Sequence, residues 1–318
     1  MLKLKDIPVT GDKAISYVED RMGFPVGELD MFPKYFLIET VNTCNARCIM
    51  CGIDFDKKSK AIIKKDLFEK ITHEIFQHRD HVEKVMLYVD GEPLMDKKLP
   101  ERIRRMKEAG VKIVNIASNA GLLDEKLGKA LIDAGLDEVF IAIDSLKKDV
   151  YEEIRVRLDF DTVYQNTVNF IALRDKMKSD LVIRINMVLQ ELNKDEGPTF
   201  QEHFQKLVSP QDFVTVRKSH NWGSTVNVGD WGDEVDVNGY PCIALWGTCV
   251  IHVNGDIPLC CVDTRTCHRL GNVREQSIQE IWTGKILADF KKMHIDGRRK
   301  DIPLCNGCTL WREDTHIG

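Results

Sequence analysis

The chain has 318 residues, 43% hydrophobic and 30% charged, enough to bury one large core and a smaller one. A formal net charge of −5 argues against a nucleic-acid partner, and no apolar run reaches the length of a membrane span. The opening residues, Met1-Leu2-Lys3-Leu4-Lys5-Asp6, lack the apolar stretch of a secretory signal, so the ten cysteines read as metal ligands in a reducing cytoplasm rather than as disulfides.

Residues 1–34 form an N-terminal extension with one helix near 13–22. From residue 35 the pattern alternates. Strand-like runs fall at 35–40, 83–89, 111–117, 137–143, 181–188 and 212–217, with helix-like runs near 66–78, 97–109, 124–134, 161–178 and 199–208. Six strands alternating with helices predict an α/β fold, with a parallel sheet and right-handed crossovers. A doubly wound open sheet is the alternative to a barrel. The predicted division is an extension over 1–34, a barrel over 35–220, and a linker with a small cysteine-rich domain over 221–318.

Strand parity places side chains. In the run 181–188, Leu181, Ile183, Ile185 and Met187 share one face, while Arg184 and Asn186 share the other. The apolar face should meet helices, so Arg184 and Asn186 should point inward. By the same parity Phe140, Ala142 and Asp144 face inward from the fourth strand. Polar groups inside a barrel need partners. A bound cofactor supplies one solution and an internal ion pair the other.

The most informative segment follows the first strand. Cys44, Cys48 and Cys51 are spaced C-x3-C-x2-C. Three thiolates can hold three irons of a [4Fe–4S] cluster and leave the fourth open, whereas a zinc site usually takes four protein ligands. With the strand before it, this spacing resembles the radical S-adenosylmethionine (SAM) superfamily. The resemblance implies a partial (β/α)6 barrel and SAM bound at the open iron. It also implies an external one-electron donor such as flavodoxin or ferredoxin, and cleavage of SAM to a 5'-deoxyadenosyl radical.

Asp90-Gly91-Glu92-Pro93 follows the second strand and resembles the superfamily's "GGEP" element, with Asp90 in place of the first glycine. The resemblance assigns Gly91, Glu92 and Pro93 to the SAM amino group through main-chain contacts. It assigns Ser118, Asn119, Asp144 and Ser145, at the carboxyl ends of the third and fourth strands, to the ribose. Capping of the following helix is the competing reading for Ser145. Arg184 is expected to pair with the SAM carboxylate, Asn186 to face the same cofactor, and Met50 to lie beside the adenine.

The other seven cysteines all lie beyond residue 241. Cys242, then Gly255 and Cys260, then the C-x2-C of Cys305 and Cys308, resemble the SPASM domain in its short form, the twitch domain. The resemblance implies a second [4Fe–4S] cluster on Cys242, Cys260, Cys305 and Cys308, with Cys261 a competitor for Cys260. A four-cysteine zinc site takes the same ligands. Cys249 and Cys267 are left over. Cys267 sits in a polar loop. Cys249 is expected to be a free thiol at the barrel mouth that donates a hydrogen atom, because the chain resembles radical SAM epimerases acting on aminoglycosides such as neomycin C. Dehydrogenation of an aminocyclitol or sugar alcohol, as in twitch-domain aminoglycoside dehydrogenases, and peptide maturation are the alternatives. A glycine-rich stretch with His220, Trp222, Asp230, Trp231, Asp233 and Glu234 suits a carbohydrate, and its carboxylates suit a cationic one.

Overall fold

The computed structural model describes residues 9–55, 59–227 and 238–310. The chain opens with α1 (Asp12–Met22) and the one-turn α2 (Val26–Leu29), then alternates strands and helices. β1 (Tyr35–Ile38), α3 (Lys65–Gln77), β2 (Lys84–Met86), α4 (Leu99–Glu108), β3 (Ile113–Ser118), α5 (Glu125–Asp133) and β4 (Glu138–Ala142) come first. Next are α6 (Lys148–Ile154), α7 (Phe160–Lys176), β5 (Val182–Leu189), α8 (Gly197–Gln205) and β6 (Phe213–Lys218). Beyond them lie α9 (Ala244–Gly247), β7 (Thr248–Ile251), β8 (Asp256–Pro258), β9 (Arg269–Asn272), α10 (Ile278–Trp282) and α11 (Lys285–Ile295).

The six expected strands all form, within a few residues of their predicted ends, and pair in parallel in the order β6-β5-β4-β3-β2-β1. A seventh strand, β7, adds to the other side of β1 from the cysteine-rich part of the chain, also in parallel. The result is the expected α/β fold, a parallel sheet with a small C-terminal unit whose β8 and β9 form an antiparallel pair. β1 is buried at every residue, as a strand covered on both faces should be. β4 and β5 instead alternate in burial. Ile183, Ile185 and Met187 are fully buried, and Arg184, Asn186 and Val188 line a cavity on the other face. The predicted parity of β5 is therefore observed.

Residues 9–34 pack on the C-terminal helices. Gly11 N donates to Ile295 O at 2.9 Å, Trp282 Nε1 to Leu29 O at 2.8 Å, and Lys291 Nζ pairs with Asp30 at 2.7 Å.

A buried ion pair fixes where β5 and β6 start. Arg174, near the end of α7, reaches Asp212 through Nη1 and Nη2 at 2.8 and 2.6 Å, with both side chains nearly inaccessible. Asp212 also accepts from Ile183 N at 2.8 Å and Ser209 N at 2.9 Å. Removing one partner strands the other charge. Arg174→Leu is expected to cost about 3–5 kcal/mol. In a thermal melt that lowers Tm by roughly ten degrees. A change under about 2 °C would show that Asp212 does not depend on the guanidinium.

Candidate SAM and iron–sulfur site

The carboxyl ends of β1 to β6 open on a cavity of about 410 Å³. Cys44, Cys48 and Cys51 all line it, on the loop after β1. The three thiols are close enough for each ionised group to disfavour the next. Burial, the larger cause, pushes Cys44 and Cys51 up to about 11. Iron binding must therefore displace protons from them. Ala46 N donates to Cys44 Sγ at 3.4 Å, and Asn119 Nδ2 braces the loop through Asn45 Oδ1 at 2.8 Å.

The turn after β2 is fixed by sterics and by one carboxylate. A Cβ on Gly91 would lie 2.2 Å from Val41 O and 2.9 Å from Thr43 O, so only glycine lets this turn close on the cysteine loop. Glu92 is buried, and burial raises its pKa. Its Oε1 accepts from Ser118 Oγ at 2.8 Å and Leu94 N at 3.1 Å, and its Oε2 from Asn119 N at 2.8 Å. Glu92 thus ties the turn to the end of β3. Gly91, Glu92, Ser118 and Asn119 line the cavity, while Pro93 is buried and starts a 3₁₀ turn.

Asp144 and Ser145 correct the sequence reading, because neither lines the cavity. Asp144 is fully buried and accepts from Arg155 Nε at 2.5 Å and Val188 N at 2.8 Å. Ser145 Oγ donates to Glu196 at 2.7 Å and accepts from Lys147 N at 2.9 Å, a local turn before α6 rather than its N-cap, which is Lys147. The cavity-facing group at this place is Arg155, which sequence reasoning missed. It follows α6, its Nη1 lies 3.4 Å from Cys48 Sγ, and Asp144 holds its other edge. Asn186 lines the cavity and accepts from Thr215 Oγ1 at 2.8 Å. Met50 also lines it, with Gln190 Nε2 at 3.9 Å from its sulfur.

The second group of thiols forms at the cavity's edge. The charges of Cys242, Cys261, Cys305 and Cys308 all act on Cys260, which burial drives well above the usual thiol range. Burial likewise pushes Cys305 up to about 12. Arg299 donates to Cys308 O at 2.9 Å and its charge favours the thiolates of Cys242 and Cys305. Among the described residues no three His, Cys, Asp or Glu side chains converge on a single ion. A four-iron cluster would take one thiolate on each ligated iron, so its ligands need not converge on one ion. The chemistry of the donor sets, three thiols and four or five, fits such clusters.

The segment after β6 joins the two groups. A Cβ on Gly52 would fall 2.7 Å from Trp222 Cγ, so the indole lies flush on the residue after Cys51. Asn221 exchanges hydrogen bonds with Thr309 and donates to Gly307 O at 2.7 Å, which fixes it to the Cys305–Cys308 turn. Trp222 and His220 line the cavity, and Trp222 N donates to His220 Nδ1 at 3.2 Å. Burial pushes His220 down to about 4, so its ring is neutral near pH 7. Asp230, Trp231, Gly232, Asp233 and Glu234 lie outside the described residues.

Cys249 does not face the barrel mouth. It pairs with Phe36 across β1 and β7 and so projects to the same side of the sheet, toward the helices, where Glu74 of α3 acts on it. It is 1% exposed and is absent from the cavity wall. Cys261 lines the cavity instead. Cys249→Ala is therefore expected to keep the wild-type iron content and 5'-deoxyadenosine yield, and to cost about 1 kcal/mol of stability. Loss of either would return Cys249 to the site.

The sequence model described as the radical SAM superfamily matches residues 38–198, and one described as an iron–sulfur cluster-binding domain (SPASM) matches residues 242–309. Curated relatives are named GTP 3',8-cyclase. That of Limosilactobacillus fermentum is 32% identical over 194 residues, 59% of this chain and 51% of the relative. That of Chlorobaculum tepidum is 30% identical over 171 residues, 53% and 49%. The chain spans about half the length of these relatives. Among solved structures, BtrN in complex with AdoMet and 2-DOIA is 18% identical with a TM-score of 0.59, covering 87% of this chain and 93% of BtrN. Streptococcus suis SuiB bound to precursor peptide SuiA is 14% identical with a TM-score of 0.65, covering 88% and 70%. At these identities the likeness is one of fold. The family expected from the cysteine spacing stands, while the curated relatives carry the name of a cyclase rather than an aminoglycoside epimerase. With half of its length matched from residue 38 to residue 198, this chain belongs to the radical SAM superfamily.

Proposed function

We propose that the cavity is a substrate chamber between two cluster sites, and that the enzyme removes two hydrogens from a small molecule held there. Cys44, Cys48 and Cys51 hold the SAM-binding cluster in this reading, and Cys242, Cys260, Cys305 and Cys308 hold the second. Bound there, SAM and the clusters supply a hydrogen-abstracting 5'-deoxyadenosyl radical and an electron acceptor. The observation that carries the reading is that one cavity is lined both by the three N-terminal cysteines and by Cys261 and Val262, next to Cys260.

The chain's own groups have separate tasks. Arg155 stands against Cys48 with its charge fixed by Asp144, which suits the SAM carboxylate better than Arg184 does. Asn119 and Gly91 shape the wall beside it. Trp222, over Gly52, shields the cysteine loop from water. An external one-electron donor, flavodoxin or ferredoxin, is part of the same reading.

Epimerisation is the second reading, favoured by one observation: Cys261 is a cavity-lining thiol outside the four proposed ligands. Burial, the first cause, and the charges of Cys242 and Cys308 keep it protonated and able to return a hydrogen atom. The test is product mass after anaerobic turnover in D2O with a panel of sugar phosphates, nucleotides and aminocyclitols. Loss of two hydrogens supports dehydrogenation. One deuterium in a product of otherwise unchanged composition supports epimerisation and overturns the first reading. An isomer without deuterium would instead match the ring closure in the relatives' name.

A further inference from the structure

Among the described residues, two arginines in the cavity wall are in no ion pair. In the register of β5 and β6, Arg184 sits opposite Phe213 and Arg217 opposite Val188, and all four share the face that carries Asn186. Both arginines line the cavity. The Arg184 guanidinium lies between two rings, 4.7 Å from the centroid of Phe140 and 5.0 Å from that of Phe213, and its Nε has no hydrogen-bond partner. Arg217 makes no hydrogen bond or ion pair among the described residues.

Among the described residues, three nearby carboxylates are committed elsewhere. Glu138 acts on Arg184 but is held by Lys84 Nζ at 2.9 Å and Asn115 Nδ2 at 3.2 Å. Glu92 spends both oxygens on the end of β3 and on Leu94 N. Asp90 lies on the cysteine side, where its charge raises Cys51 and Cys261. Burial and the charge of Arg217 both lower the Arg184 pKa, the signature of two like charges placed side by side. Guanidinium stays charged through such shifts. Two adjacent, partly desolvated cations without an anion are costly, and an oxyanion held by both removes that cost.

We propose that Arg184 and Arg217 form the subsite for an oxyanion group of the substrate, a phosphate or a carboxylate, so that the substrate is anionic rather than a cationic aminoglycoside. The inference rests on the cavity being the substrate chamber proposed above. The rings of Phe140 and Phe213 on either side restrict the Arg184 guanidinium, which suits bidentate contact. Arg155 serves a different group, because Asp144 and Cys48 already fix its place.

The test is calorimetric titration of the reconstituted, SAM-loaded enzyme with inorganic pyrophosphate in one arm and succinate in the other. The wild type should bind one of the two, more weakly as salt rises, and the arm that binds tells phosphate from carboxylate. Arg184→Met/Arg217→Met should weaken that binding at least tenfold and leave SAM affinity within about twofold, while Arg184→Lys/Arg217→Lys should keep part of it. Binding of neither probe by the wild type, or equal binding by the Met variant, would overturn the proposal. So would a parallel loss of SAM affinity in that variant, since the arginines would then belong to the SAM site. Failure of the chamber reading shows separately, as a substrate that turns over normally in the Met variant without competing with the bound probe.

Discussion

Replacing Cys44, Cys48 and Cys51 together with alanine is expected to remove about half of roughly eight irons and to bring 5'-deoxyadenosine formation to background. The iron total follows from the two proposed four-iron sites, one served by these thiols and one by the group around Cys260. In the proposed assignment the second site draws no ligand from the first loop, so its four irons should remain. Replacing Cys305 and Cys308 should give the converse, loss of the other half with SAM binding retained. Iron and zinc analysis with SAM titration separates the cases. A wild-type chain that holds only four irons, or zinc at the second site, would contradict the division.

Gly91→Ala is the second change with a large expected effect. The new Cβ would meet the Val41 carbonyl at 2.2 Å and the Thr43 carbonyl at 2.9 Å. Both obstacles are backbone, so no side chain can rotate out of the way. The turn must move off the cysteine loop and take with it Glu92, which binds Ser118 and Asn119. Overpacking of this kind costs about 1–3 kcal/mol. Spent on the turn that faces the cavity, it should weaken SAM binding roughly tenfold or more. Iron content should stay at the wild-type level, because no thiol is touched. Wild-type SAM affinity in Gly91→Ala would mean the turn does not shape that site.

The barrel strands and the two cysteine groups were legible because both are local signals. Thiol spacing is read directly, and the parity of β5 follows from alternation alone. Arg155 was missed because α6 is only seven residues long and highly charged, so it carries little periodicity to mark its end. Cys249 was misplaced for a long-range reason. Which face it occupies depends on its pairing with Phe36, more than two hundred residues earlier, and a slip of one residue reverses the face. Asp144 and Ser145 were ambiguous in kind, since the same polar groups at a strand end either meet a ligand or satisfy the chain. Here Arg155, Val188, Lys147 and Glu196 already satisfy them. That Arg184 and Arg217 are in no ion pair among the described residues needed the register of β5 and β6 and the positions of Glu138, Glu92 and Asp90.

The central claim is that SAM binds beside Cys44, Cys48 and Cys51 in the cavity that also receives the substrate. The most direct measurement is 5'-deoxyadenosine formed anaerobically with reductant, first without substrate and then with a phosphorylated or carboxylated substrate deuterated at its reacting carbons. The expected result is formation that rises with substrate and 5'-deoxyadenosine that carries the substrate's deuterium. 5'-Deoxyadenosine without deuterium, at a rate indifferent to every substrate offered, would contradict the shared chamber.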